Sequence, residues 1–385
     1  MTPNSKQNIL YIAQSGKPGG AEISMMLLLK ALDKTQFCTA VVVPPSSPLQ
    51  QKLQDLGVKT FGLSLPQIKP SNPFRLLIIP LSFIFVCFKL VKLIRRNRIG
   101  IIHSMSNKRT AAYSIVAGFL SGIPSVWTIR ILDRIKIVDA FLLLFATKVI
   151  AISKLVQKTF DAKSRYDDKM VMIYNALDVS AHNLEMNRTR PLRKRWGFHS
   201  SDFLVANVGR LGSEKGCAYF LKAIEKVIRE EPALRFVVVG DRSFYGNDDY
   251  YRTLLELSED LGIQNQIKFV GFEANVPEIM SSIDLLVLCS ENESFGRVVI
   301  EAMAMEKPAI CFNSGGPKEL IENGVTGVLI PPRDVDALAK AIVTLYRNKE
   351  LRCRMGKLGR QTVVQKFNVA NHVAAYQNVY KELLR

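Results

Sequence analysis

Phe203-Leu-Val-Ala-Asn-Val-Gly-Arg-Leu-Gly-Ser-Glu-Lys-Gly216 begins as a run of apolar, partly β-branched side chains and closes in a glycine-rich loop. Residues 218–230 continue with apolar side chains at helical spacing. A short apolar run of this kind reads as a buried strand. Strand, glycine loop and helix in that order open a parallel sheet with crossover helices. The pattern continues outward in both directions. Downstream, residues 235–239, 267–270, 284–288 and 309–312 read as further strands. Upstream, residues 9–13, 39–43, 99–103, 125–129, 149–152 and 170–173 do the same, with helices expected over 21–32 and near 48–56. The fold class is therefore α/β, with two such series. Residues 182–198 are polar and basic around Pro191, which places a linker near 180–200. One domain is expected over residues 1–185 and a second over 186–366. A last amphipathic helix within 367–385 is expected to pack back on the first domain.

Length and composition agree with two globular domains: 385 residues, 48% hydrophobic and 22% charged, which excludes a disordered chain. The six cysteines (38, 87, 217, 289, 311, 353) form no close pair, so neither a zinc site nor a disulfide framework is indicated. They read as reduced thiols of a cytosolic protein. The apolar run at 9–13 is too short for a signal-peptide core. The net charge of +18 is lopsided: residues 1–200 carry 29 Lys and Arg against 10 Asp and Glu, residues 201–385 carry 23 against 24. A basic half points to a polyanionic partner: anionic lipid, nucleic acid or a phosphorylated glycan.

Ligands of open α/β sheets bind beyond the carboxyl ends of the strands. Four segments lie there. Pro18-Gly-Gly-Ala-Glu22 follows the first strand and opens a helix, where free amides favour an anion. Gly209-Arg-Leu-Gly-Ser-Glu-Lys-Gly216 can converge Arg210 and Lys215 on a diphosphate, Arg as a planar multidentate donor and Lys as a mobile charge. Glu291-Asn-Glu-Ser-Phe-Gly-Arg-Val-Val-Ile-Glu301 sets Glu293 in a loop and Glu301 two turns into an apolar helix. Carboxylates there suit sugar and ribose hydroxyls; an internal Arg is the blander alternative partner for a buried Glu301. Gly315-Gly-Pro-Lys-Glu-Leu320 is ambiguous on its own.

Taken together these segments resemble family 4 of the retaining glycosyltransferases over nearly the whole chain. The resemblance is carried by Gly19-Gly20-Ala21-Glu22, Tyr174-Asn175-Ala176-Leu177-Asp178, Gly209-Arg210, Glu214-Lys215-Gly216, Val239-Gly240, and above all Glu293 and Glu301 with seven residues between them. It implies the GT-B architecture, two Rossmann-like domains facing across a cleft, an N-terminal acceptor domain and a C-terminal donor domain. It also implies a reaction, transfer of a sugar from a UDP- or GDP-linked donor with retention of anomeric configuration. By the same resemblance Arg210 and Lys215 bind the diphosphate and steady the leaving group, Glu293 contacts the transferred sugar, and Glu301 binds the ribose. The amides near Phe295-Gly296 and Gly19-Gly20 complete the phosphate site. No cofactor and no metal is expected; Asp167-Asp168 and Asp248-Asp249 read as solvated loop acids.

One position departs from the family. Many members carry a histidine after the strand that here reads Ser125-Val-Trp-Thr-Ile-Arg130. Arg130 cannot serve as a base at neutral pH, so it is a candidate for binding an acceptor phosphate or for packing against the donor, and His103, at the end of another strand, is a second acceptor-binding candidate.

Residues 76–94 are apolar nearly all round and then turn basic. Pro80 and two lysines argue against a spanning helix. An interfacial helix fits, with Phe83, Phe85 and Phe88 in the acyl boundary and Lys89, Lys92, Arg95 and Arg96 on headgroups, and residues 140–146 extending the surface. The expected setting is the inner face of the cytoplasmic membrane, with a lipid-linked or membrane-associated acceptor in polysaccharide, lipopolysaccharide or glycolipid assembly. Two alternatives stay open: a nucleotide-sugar epimerase or phosphorylase on the same fold, and a non-catalytic protein binding anionic lipid or nucleic acid. No nucleic-acid motif is present. Donor sugar, acceptor identity and oligomeric state are not readable.

Overall fold

The computed structural model describes residues 6–14, 19–66, 75–240 and 249–385, with backbone alone for 75–78. Pro18 and Asp248 lie outside the described residues. The chain forms two units, Met1–Ala176 with Val369–Arg385, and Leu177–Asn368.

The first unit is built on seven parallel strands: β1 (Gln7–Ile12), β2 (Phe37–Val43), β3 (Lys59–Gly62), β4 (Ile99–Ser104), β5 (Ser125–Ile129), β6 (Lys148–Ala151) and β7 (Met170–Met172). They lie in the order β3-β2-β1-β4-β5-β6-β7. The crossovers are α1 (Gly20–Ala31), α2 (Pro48–Asp55), α3 (Arg75–Arg96), α4 (Lys108–Ser121), α5 (Lys136–Phe145) and α6 (Lys154–Phe160). Local chemistry sets their starts. Ser47, Asn107 and Ser153 each accept a backbone N–H of the first turn of α2, α4 and α6, and Pro48 stands where a helix needs no N–H.

The second unit holds six parallel strands: β8 (Leu204–Val208), β9 (Arg235–Val239), β10 (Ile267–Gly271), β11 (Leu285–Leu288), β12 (Ala309–Phe312) and β13 (Val328–Ile330), ordered β10-β9-β8-β11-β12-β13. Its helices are α7 (Met186–Thr189), α8 (Leu192–Arg195), α9 (Cys217–Glu230), α10 (Asp249–Asp260), α11 (Val276–Ser282), α12 (Arg297–Ala304), α13 (Pro317–Leu320), α14 (Val335–Arg347) and α15 (Lys349–Lys366). The last helix, α16 (Val369–Leu383), belongs to the first unit, where it packs on α1 and buries Val373, Tyr376 and Tyr380 in the core.

Two readings of the sequence are corrected here. The basic run around Pro191 is not a solvated linker. Arg193 is 2% exposed, its guanidinium donating to the Ser282 carbonyl (2.8 Å) and to Asp284 (2.6 Å), whose carboxylate also takes the Leu204 amide at 2.8 Å. A paired, fully hydrogen-bonded Arg can be buried, so the segment joins the second unit and the division falls at Ala176/Leu177. Phe83 is not on an exposed helix face. It is half-buried and stacks on Tyr113 at 4.6 Å, whereas Phe85, Phe88, Lys89, Lys92, Arg95 and Arg96 are exposed.

Candidate active site

In each sheet the strand order reverses once, between β1 and β4 and between β8 and β11. Crevices for ligands open at such points. In the second unit the two loops that flank it are the Arg210–Lys215 loop after β8 and the Glu291–Gly296 loop after β11.

These loops are locked together by close backbone approach. Gly216 ends the first loop at φ +66°, and a Cβ there would stand 2.2 Å from the Cys289 carbonyl oxygen. Only glycine tolerates both the conformation and the contact. The second loop rests on the segment after β12. The Gly316 amide donates to the Glu293 carbonyl at 2.7 Å, and a Cβ on Gly316 would fall 2.4 Å from Phe295 Cα. The Gly315-Gly316 motif, ambiguous as sequence, is thus a bed for the acidic loop. Glu291 is held from the side by Arg333 at 2.8 and 2.9 Å, which lowers its carboxyl from the ordinary value. The Phe295 ring is buried edge-on to Phe367 at 6.0 Å.

On this rigid bed the structure brings the Lys215 ammonium to 2.5 Å from a Glu293 carboxylate oxygen, both side chains mostly buried. Arg210 is half-buried on the same loop. Gly296 precedes α12 at φ +94°. Glu301, 9% exposed, meets Arg297 one turn earlier at 3.3 Å. The internal Arg foreseen as one partner for Glu301 is therefore present, and Glu301 is charge-paired without a ligand. Sequence reading missed His182. It is 4% exposed, its Nδ1 lies 2.9 Å from the Asp178 carbonyl, and burial lowers its pKa while the Glu301 charge opposes the shift. Its Nε2 is buried without a hydrogen-bond partner among the described residues. A histidine four residues beyond Asp178 carries no recognisable pattern.

In the first unit, the Gly19 amide donates to its own helix's Glu22 at 3.0 Å, so a phosphate would have to displace that carboxylate; Gly20 is exposed. Arg130, 8% exposed after β5, donates to Asn175 Oδ1 at 2.8 Å, and the Ser24 hydroxyl reaches the same oxygen at 3.4 Å.

His103 is corrected as an acceptor-binding candidate. It is fully buried, Nδ1 meeting the Tyr380 hydroxyl at 2.8 Å and Nε2 the Thr128 hydroxyl at 2.9 Å. Tyr380 continues to the Tyr11 hydroxyl at 2.9 Å. The ring ties α16 to the sheet and leaves no nitrogen for a ligand. Burial first, then the Arg130 charge, bring its pKa down to about 3. In an unfolded chain histidine titrates near 6.5, so below that pH the unfolded state holds one proton more. Stability from this group is complete above pH 6.5 and falls as pH drops toward 3, by about 1.4 kcal/mol per unit. In chemical denaturation between pH 6.5 and 5, His103→Asn is expected to flatten this slope by one proton. An unchanged slope would place the titration elsewhere.

Comparison with known proteins adds to this geometry. Residues 18–181 match the family described as Glycosyltransferase Family 4, and residues 189–362 that described as Glycosyl transferases group 1. An Escherichia coli UDP-Gal:alpha-D-GlcNAc-diphosphoundecaprenol alpha-1,3-galactosyltransferase is 27% identical over 99% of this chain and 98% of its own. The N-acetyl-alpha-D-glucosaminyl L-malate synthase of Bacillus anthracis is 30% identical over 55% of this chain and 54% of its own, so with that relative the chain shares about half a protein. Among solved structures, Anabaena Alr3699/HepE in complex with UDP-glucose superposes with a TM-score of 0.83 at 26% identity, covering 97% of this chain and 99% of that one. Sucrose-phosphate synthase from Thermosynechococcus elongatus shares the fold, at TM-score 0.79 and 20% identity over 98% and 99% of the two chains.

Proposed function

The chain belongs to the family 4 glycosyltransferases of GT-B fold, and on that premise we propose that it moves a sugar from a UDP- or GDP-sugar to a lipid-linked or membrane-associated acceptor with retention of configuration. The observation that carries the reading is the Lys215–Glu293 pair at 2.5 Å, held at the β8/β11 switch point with Glu301 on the adjoining helix.

In this reading the second unit binds the donor and the first the acceptor. Arg210 and Lys215 face the diphosphate, with the amides near Phe295-Gly296. Glu301, paired with Arg297, accepts from the ribose hydroxyls, and Glu293 positions the sugar. The bond from the anomeric carbon to the diphosphate oxygen breaks. The acceptor oxygen bonds to that carbon from the same face, and its proton passes to the departing diphosphate. The fixed cations and loop amides stabilise the leaving charge, so no metal is required. The diphosphoundecaprenol substrate of the E. coli relative and the UDP-glucose of the Anabaena complex support the acceptor and donor classes.

No helix among the described residues is long and apolar enough to cross a membrane. In this reading α3 docks the enzyme on the inner membrane face, through exposed Phe85, Phe88, Lys89, Lys92, Arg95 and Arg96 rather than half-buried Phe83, in polysaccharide, lipopolysaccharide or glycolipid assembly. A thermal-shift panel of UDP-, GDP- and ADP-sugars tests the donor reading. One donor at about 100 times its Kd adds about 2.7 kcal/mol. Silence of the whole panel on folded protein would remove the nucleotide-sugar assignment. The anomeric proton coupling of the product, read by NMR, tests retention.

A further inference from the structure

Of the eighteen large hydrophobic side chains exposed among the described residues, fourteen lie between Ile79 and Phe145. Topology gathers them. The steps β3 to β4, β4 to β5 and β5 to β6 all move the same way across the sheet, so their right-handed crossovers α3, α4 and α5 share one side. Helix α4 packs against both of the others. The opposite side is occupied by α1, α2 and α16. The outer face of the α3–α4–α5 layer is therefore one surface. On it Phe88 and Phe119 are each 73% exposed and Ile137 86%. Phe119 at the end of α4 meets Phe145 at the end of α5 edge-on at 6.4 Å, so the apolar area is continuous between helices. Between α3 and α4 a recess of about 320 Å³ opens, lined by Phe83, Cys87, Phe88, Val91, Val116 and Leu120, with Arg95 on its border. Monomeric soluble proteins rarely leave such a contiguous patch uncovered.

Charge selects the occupant. From Arg75 to Phe145 there are eleven Lys and Arg and two acidic residues, Asp133 and Asp139. Asp139 is fully buried against Lys108 at 2.7 Å, so neither member of that pair faces out, and Arg130 is buried as well. The Lys89 ammonium lies 4.3 Å over the Phe85 ring, its stem along the apolar surface and its charge at the edge. A second copy of this face would bring cations against cations. An anionic bilayer supplies hydrocarbon for the centre and phosphates for the border.

We propose that the whole outer face of the α3–α4–α5 layer lies flat on an anionic phospholipid bilayer, with α5 and the end of α4 inserting beside α3 and the recess receiving lipid hydrocarbon. This rests on the membrane reading above, which already gave residues 140–146 to the surface, and adds two things: the end of α4 and the start of α5 at Ile137 insert as well, and the first unit's sheet lies parallel to the membrane. Its strand ends then look along the bilayer surface, at the level of lipid headgroups.

The test is flotation of the purified full chain with phosphatidylglycerol/phosphatidylcholine vesicles and with phosphatidylcholine alone. Ile137→Ser with Leu144→Ser on α5, Phe119→Ser on α4, and Phe85→Ser with Phe88→Ser on α3 remove exposed side chains only, and thermal melts confirm folding. Each double variant is expected to lower partitioning onto anionic vesicles by roughly tenfold or more, and the single one less. Release by the α3 variant alone, with α5 and α4 variants binding as wild type, would overturn this inference and leave α3 docking standing. Binding indifferent to every variant would overturn both. A dimer in size-exclusion that the variants dissolve would give the face to a second copy instead. Donor-induced thermal shifts, measured on the same samples without vesicles, report the nucleotide-sugar reading separately.

Discussion

Lys215→Ala lowers turnover by about 10²–10³-fold, the scale for losing one charge that stabilises a departing anion. Two features of the structure make the effect large. Lys215 stands on a turn that Gly216 fixes against the Cys289 carbonyl, so its ammonium is presented from a rigid backbone. Its partner Glu293 is only 16% exposed, so removing the ammonium leaves an unpaired carboxylate in poor solvent, which in the proposed reading faces the sugar. Charge builds on the diphosphate as the sugar leaves, and interactions that strengthen in the transition state appear in kcat more than in donor affinity. The expected pattern is a collapsed kcat with a donor Kd changed far less. Steady-state kinetics with calorimetric donor binding measure both, and near-normal turnover would remove Lys215 from the chemistry.

Glu301→Ala weakens donor binding by about 10- to 150-fold, since hydrogen bonds to a charged group contribute about 1.5–3 kcal/mol. The Arg297 pairing complicates a simple reading, because the substitution also strands that guanidinium. A ligand change separates the two effects. Wild type should discriminate UDP from 2′-deoxy-UDP, and the variant should bind both alike, because the ribose hydroxyl has lost its partner in either case. Discrimination retained in Glu301→Ala would show that the ribose is held by another group. The buried Nε2 of His182 is the one to replace next.

The fold and most of the site elements were legible because their signals are local. Strands such as Ser125–Ile129, Arg235–Val239 and Ala309–Phe312 are short runs of buried apolar residues that read directly. The strands passed over, β3 and β13, are edge strands of four and three residues with half-buried side chains, and neither offers enough contrast to stand out from a loop. What stayed hidden depends on distant partners. Arg193 looks solvated until Asp284 is placed beside it. His103 looks available until α16 returns to cover it with Tyr380. Gly315-Gly316 acquires meaning only when the Glu293–Phe295 backbone, some twenty residues earlier, is laid against it. Helix α3 read as apolar nearly all round, yet which phenylalanine turns inward was decided by Tyr113 on α4.

The return of α16 to the first unit also fixes an order of events during synthesis. Every residue of Leu177–Asn368 leaves the ribosome before the helix that fills the first unit's core with Tyr376 and Tyr380. The usual sequence, in which the N-terminal domain completes first, is closed to this chain. The second unit has all its strands in hand while the first still exposes the apolar floor that α16 will cover. The unit begun first is thus finished last, and a chain stopped at the start of α16 would carry a complete second unit and an unfinished first one.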